Sequence, residues 1–523
     1  MSLADLKEAL NSRSTVSWIT AAIFINVVYL VVRSIYLLYW HPLAKYPGPR
    51  IAAVSDIWYG YHWLSGRYPW AIEAAFKKYG DVVRIAPNHV VFFKPEAQVD
   101  ILMSGTKGKP TFRKTEFYPE LGKVAGIAAE KDPEKHRVVR KTLSPAFAPR
   151  ALKDQDIALH RVTDHFVKKL EELGNVDKGV NMSEWFDWVA CDLAGTFTYG
   201  HNFDNVKDAR FNPFLDTFNR VDLWGTLDQV MKRFPLLYPL VFFALPPSLA
   251  KTVPWLLKEN KRIVVDRVVR RDSLEHPDYF SALVSDKKPI PSNEFLLAQA
   301  NHLIIGGLDP TTNLFTSILY FLLEYPDKLE KVKQEIRGTF CSYDDIQYEA
   351  LAHLPWLTAV MDESLRMHTN GAFGQPRYSP GATVDGDYIP AGCRVETSSF
   401  ATSRSERFWT KPRVFAPERW LPATHPDYDP VFDKDARTTF KPFSMGPRGC
   451  PGQNMGYRQT SILFAKMVWK FDWEFINRGE VDWDRDTRLY AIWKRPPVMV
   501  KFTNAESVEA KQGVAGGIGQ EIV

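Results

Sequence analysis

The chain has 523 residues, 45% of them hydrophobic and 13% aromatic, enough to build a large core in one big domain or in two to three average ones. A formal net charge of +5 suits an acidic protein partner or an anionic membrane surface and is too weak to argue for nucleic acid. Four cysteines, at 191, 341, 393 and 450, show no close pairing, which argues against a disulfide framework and fits a reducing compartment.

Residues 1–15 are polar with mixed charge, and residues 16–32 then run without a charged side chain. The apolar run resumes after Arg33 and continues to Trp40. A spanning helix needs about 20 mostly apolar residues, and Arg33 can snorkel from a place near one interface. Trp18 at one end and Tyr36, Tyr39 and Trp40 at the other match interfacial aromatic belts. The pattern predicts a membrane anchor over residues 16–40. A cleaved signal peptide is disfavoured by the acidic residues before the run and by the lack of a small-residue cleavage site. A buried core helix is the other alternative. Arg33, Lys45 and Arg50 follow the span, against Lys7 and Arg13 before it, and point the bulk of the chain toward the cytosol. Prolines 42, 47 and 49 with Gly48 predict a stiff extended hinge over residues 41–50.

Residues 70–79 read as an amphipathic helix. Residues 81–85 and 89–93 read as a β-hairpin, turned by Ala86, Pro87 and Asn88. A loop rich in glycine and proline covers residues 105–126. His136 and Arg140 are four apart on one helix face. They suit an anionic carboxylate pair, or else belong to a solvated basic face. Residues 234–247 are apolar, too short to span a membrane and broken by proline.

Ser292 is a candidate N-cap with Glu294 in the first turn. From there the chain reads as one apolar helix to Glu324, with Gly306, Gly307, Leu308, Asp309, Pro310 and Thr311 in its middle. Pro310 predicts a kink. Downstream, Glu363 and Arg366 stand at helical spacing. Phe415, Ala416, Pro417, Glu418, Arg419 and Trp420 follow.

Residues 443–452 read F-S-M-G-P-R-G-C-P-G. Pro451 suits the first position of a helix predicted over residues 454–469. Cys450 would then face the positive end of that helix with Arg448 two residues away, and both favour thiolate over thiol. Glycines 446, 449 and 452 let a flat ligand approach the backbone. An inert cysteine in an ordinary turn is the alternative.

The pattern F-x-x-G-x-R-x-C-x-G resembles the haem-binding loop of the cytochrome P-450 superfamily, and the other motifs follow in that family's order over about residues 35–500. The resemblance implies a mainly α fold with small β-sheets, carried on an N-terminal transmembrane helix. Residues 51–503 would form the haem domain and 504–523 a disordered tail. It implies haem b (iron protoporphyrin IX), with Cys450 as the iron ligand. Phe443, Arg448 and Gly452 would pack the cofactor, and His136, Arg140 and Arg377 would contact its propionates. Glu363, Arg366 and Arg419 would form a buried structural triad.

In the family, the A/G-G-x-D/E-T motif helps deliver protons to dioxygen. Here Asp309 takes the acid position, but Pro310 stands where the first threonine is expected. Either Thr311 shifts into the missing role, or proton delivery relies on Asp309, water or substrate hydroxyls. The family's substrate-facing segments map to about residues 105–125, 234–247, 299–311, 369–375 and 488–493.

The expected activity is monooxygenation, with O2, of a sizeable apolar molecule such as a fungal secondary-metabolite intermediate. The alternative, suggested by Pro310, is radical coupling, ring closure or rearrangement without oxygen insertion. A binding protein without turnover is the third possibility. No flavin or nicotinamide domain is recognisable. Electrons are therefore expected from a separate NADPH-cytochrome P-450 reductase, docking on Lys135, Lys141, Lys441 and Arg448. The expected location is the endoplasmic reticulum membrane, single-pass, with lipid around the anchor and the catalytic domain cytosolic.

Overall fold

The computed structural model describes residues 3–505, except 106–109, 119–123, 221, 244–245, 272 and 285–288. Helix α1, Leu3–Tyr39, holds the one stretch among the described residues long and apolar enough to cross a membrane, Val16–Tyr39, with mean hydropathy 2.0. Its side chains from Val16 to Val32 are all exposed, which removes the buried core helix as an alternative. Residues 41–50 differ from the expected extended hinge. They fold into turns closed by Ala44 N–H to His41 O and Tyr46 N–H to Leu43 O. Leu43 is fully buried, and Arg84 N–H donates to Pro47 O at 2.8 Å. The prolines stop a helix, but Leu43 and Tyr46 still find a core to enter, so the segment docks. Arg33 reaches forward to Val54 O at 3.1 Å, on α2, Arg50–Val54.

The expected hairpin is present as β1, Val82–Ala86, and β2, His89–Phe92. They belong to a five-stranded sheet whose next members are Arg394–Thr397, Arg377–Tyr378 and Arg113–Lys114. β2 and Arg394–Thr397 run parallel and every other pair antiparallel. A three-stranded sheet joins Val180–Asn181, Met499–Asn504 and Phe471–Phe475. The last described residues belong to the fold: the strand reaches Asn504 and Ala505 is buried. The rest of the expected tail lies outside the described residues.

The bulk is helical. Four helices frame the centre: α3, Met182–Tyr199; α4, Asn293–Glu324; α5, Pro355–Met367; and α6, Gln453–Lys470. α4 starts where the sequence indicates, with the Ser292 hydroxyl accepting from Phe295 N–H at 3.2 Å. At 1.5 Å per residue it is about 48 Å long, enough to cross the whole domain. Rings lock α3, α4 and α6 together: Phe186 meets Phe315 at 5.5 Å, and Phe315 meets Phe464 at 6.0 Å. Pro310 does not break α4, which continues as one element on both sides of it.

Candidate functional site

The Cys450 loop is closed on itself. Cys450 N–H donates to Phe443 O at 2.9 Å and Gly449 N–H to Gly446 O at 3.0 Å. Gly446 has φ +72°, and a Cβ there would stand 2.4 Å from Leu102 O, so the close approach to residues 102–103 requires glycine. Phe443 packs on Tyr457 at 5.4 Å, which fixes the loop to α6. Gly452 is the N-cap and Gln453 the first helical residue. Pro451 therefore lies before the helix, not at its first position, because residues 451–452 turn before the chain begins to coil.

The electrostatics of Cys450 also differ from the expectation. Its side chain is exposed, yet crowding by the protein is the largest influence and pushes the thiol up. The Gly452 N–H and the Arg140 guanidinium oppose this. Arg448 does not act on the sulfur: it is turned away, donating to Glu130 O and Lys131 O. Arg140 takes the nearer place, with Nη1 donating to Gly449 O at 2.6 Å. A metal cation at the sulfur would reverse the balance toward thiolate.

Beside the loop, five basic side chains gather: Lys114, His136, Arg140, Arg377 and Arg448. Burial holds the His136 imidazole down to about 3, with further lowering by Arg448, Lys114, Arg140 and Arg377. Burial, followed by Arg377 and Arg448, holds Lys114 well below the usual lysine range. Arg448 is lowered to about 10 by burial and then by Arg377. Among the described residues none of the five forms an ion pair with a carboxylate. Their hydrogen bonds go to neutral oxygens, such as Lys114 Nζ to Ala128 O at 2.6 Å and Arg377 Nη1 to Gln375 O and Pro376 O at 3.0 Å. The four cations around the neutral imidazole are only partly offset by Glu130, so the cluster suits an added anion. The cluster would suit the two carboxylates of a haem, whose iron Cys450 would hold. Lys114 and Tyr118, whose hydroxyl meets Arg377, were missed by sequence reasoning. They sit in a short strand and a loop without a motif, and only the Arg113–Lys114 pair before Phe117 and Tyr118 offered a signal.

On α4, Thr311 is buried and its hydroxyl accepts from Gln459 Nε2 of α6 at 2.7 Å. Asn370 Nδ2 donates to Pro310 O at 3.1 Å. Asp309 turns another way, toward Arg495, with Oδ1 3.8 Å from Nη1. Burial raises its carboxyl to about 6. Arg495 opposes that and Asp187 adds to it. Arg495 is held more closely by Asp187, at 2.7 Å. The structure thus separates Asp309 and Thr311 into two different polar networks.

Glu363, Arg366 and Arg419 meet, all fully buried. Arg366 donates from Nε and Nη2 to the two Glu363 oxygens, each at 2.8 Å, and Arg419 Nε lies 3.0–3.1 Å from them. Ala416 N–H at 2.9 Å and Trp420 Nε1 at 3.0 Å complete the carboxylate's shell. Burial would raise Glu363, but the two guanidiniums hold it below its ordinary value. Asp435, unnoticed in the sequence, pairs with Arg419 and balances the charge.

Comparison with known proteins identifies the family. The family model described as Cytochrome P450 matches residues 57–502. The chain is 39% identical over 478 residues to the cytochrome P450 monooxygenase poxC of Penicillium oxalicum, covering 91% of this chain and 93% of that protein. It is 37% identical to the cytochrome P450 monooxygenase TwmD of Talaromyces wortmannii, covering 92% and 96%. It is 34% identical to the cytochrome P450 monooxygenase BOA3 of Botryotinia fuckeliana, covering 96% and 100%. A cysteine loop beside a gathering of basic groups, the Glu363 cluster and a match across nearly the whole chain lead to one conclusion: the chain belongs to the cytochrome P450 family.

Proposed function

We propose that the protein is a membrane-anchored haem-thiolate monooxygenase that oxidises a sizeable apolar small molecule, a fungal secondary-metabolite intermediate, using O2 and electrons from NADPH. The observation that carries this reading is the gathering of Lys114, Arg140, Arg377 and Arg448, with the neutral His136, beside the Cys450 loop, without an ion pair to a carboxylate among the described residues. Haem b, when bound through Cys450, supplies the activation of O2 and the insertion of one oxygen atom. The chain supplies the rest. Arg140 and the Cys450 N–H keep the sulfur loop in shape. The basic cluster offers charge to the two propionates. Asp309, with a carboxyl at about 6 and an Oδ1 that lacks a hydrogen-bond partner, can hold and release a proton near neutrality.

Electrons come from NADPH-cytochrome P-450 reductase. The exposed Lys135 and Lys141, with the half-buried Lys441 and Arg448, form its basic footprint. The site is the endoplasmic reticulum membrane, single-pass, with the catalytic domain cytosolic. Supporting this, the exposed α1 is joined by an apolar projection in which Leu236 is 94% and Phe243 87% exposed.

The test is the spectrum of the reduced protein with carbon monoxide, beside Cys450→Ser. A strongly red-shifted Soret band that the variant loses is expected. A haem-loaded, folded wild type without that band overturns the reading. A second reading, coupling or rearrangement without oxygen insertion, is favoured by Pro310, which offers no hydroxyl, and by the engagement of Thr311 with Gln459. Oxygen-18 from labelled dioxygen appearing in the product would exclude it.

A further inference from the structure

α4 turns one face toward open space. Gly306 is exposed although Ile304 and Leu308 beside it are buried, and a side chain placed there would meet nothing within 4 Å. His302 lies four residues earlier, hence on the same face. Its Nδ1 stands 2.9 Å from Ala298 O. A carbonyl only accepts, so Nδ1 carries the hydrogen and Nε2 presents a lone pair. The imidazole is half-buried, and Nε2 has no partner among the described residues.

The ring cannot easily turn away. A Cβ on Gly126 would come within 2.0 Å of His302 Nδ1 and 2.4 Å of Ala298 O. Only glycine lets that loop close over the histidine. The loop is itself fastened to α4 by Ile127 N–H to Gln299 Oε1 at 2.9 Å. Burial lowers the imidazole, against the bond to Ala298 O and with a smaller push from the charge of Lys114, so Nε2 stays an acceptor at neutral pH.

We infer that His302 is a specificity-determining residue whose Nε2 accepts a hydrogen bond from a hydroxyl of the substrate lying over Gly306. The substrate is then an apolar molecule that already carries a hydroxyl, and a pure hydrocarbon would leave the acceptor unpaired. The inference rests on reading this space as the haem pocket.

The test uses haem-loaded full-length protein and probes that anchor themselves on the iron. These are the three positional isomers of (imidazol-1-yl)phenol and their three methyl counterparts, titrated by the azole-induced Soret shift. At least one phenol should bind the wild type about five- to tenfold more tightly than its methyl counterpart. The preference should vanish in His302→Phe and persist in His302→Gln, which keeps an acceptor. Gly126→Ala, which drives a methyl into the ring, should lower it too. No phenol preference in the wild type, or one unchanged in His302→Phe, overturns the inference while the azole shift leaves the haem reading standing. No azole shift at all overturns both.

Discussion

Gln459 Nε2 donates to Thr311 Oγ1 at 2.7 Å, joining the helix that follows the cysteine loop to the helix that crosses the domain. Both side chains are more than nine-tenths buried, so breaking the bond strands a hydroxyl. Gln459→Leu should cost about 1–3 kcal/mol and lower the thermal midpoint. Adding Thr311→Val should recover part of the loss, since both partners are then apolar. A double-mutant cycle by thermal denaturation checks this, with about 1 kcal/mol of coupling expected.

Glu363 holds two buried guanidiniums, and Asp435 neutralises the second. Removing one partner from such a cluster leaves an uncompensated buried charge, worth about 3–5 kcal/mol. Glu363→Ala and Asp435→Asn should both destabilise by that order and yield little haem-loaded protein. Asp435→Asn is the sharper test, because a three-member cluster would tolerate it. Comparing haem content and thermal midpoint of the two variants decides between three members and four.

The motif residues were legible because their chemistry demands fixed spacing along the chain: the cysteine loop, Glu363 with Arg366, and the Ser292 start of α4 all stand where the pattern puts them. Partners brought in by tertiary packing were not. Gln459, Arg495, Asp435 and Lys114 follow no local periodicity, and each matters only because a distant element sets a charge or hydroxyl beside it. Residues 41–50 misled for a related reason. Proline reports that the backbone will not coil, but says nothing of whether Leu43 and Tyr46 will find a core to enter. Pro310 is carried within α4, which continues as one element on both sides of it.

Lys114 is buried among cations, so its charge is unfavourable in the protein alone and useful only toward an anion. A lysine whose folded value is depressed carries its full penalty below that depressed value; the penalty shrinks as pH rises from there toward the ordinary lysine value and is gone above it. Lys114→Met should therefore raise the stability of haem-free protein at pH 7 while speeding haem loss to excess apomyoglobin by about tenfold, the worth of one charge-assisted hydrogen bond. A variant that loses haem no faster would remove Lys114 from the propionate cluster.

Asp309 gives the pH dependence. Burial lifts its carboxyl from an ordinary 3.8 to about 6, with Arg495 opposing and Asp187 reinforcing, and Lys494 and the Trp493 backbone N–H lowering it slightly. The folded state therefore binds this proton more tightly than the unfolded chain. Its contribution to stability is present below about pH 4 and is lost as pH rises through about 6. Asp309→Asn mimics the protonated form, so it should be more stable than the wild type at pH 8, by at most about 3 kcal/mol. The difference should shrink as pH falls through about 6 and close toward pH 4, where the carboxyl is neutral in the folded and the unfolded chain alike. Turnover should behave oppositely: the asparagine cannot release a proton, so product formation should fall about 100-fold, and the wild-type dependence on pH between 5 and 7 should flatten. Thermal midpoints and product formation measured across that range would settle it, and a variant that keeps full turnover would take Asp309 out of proton transfer.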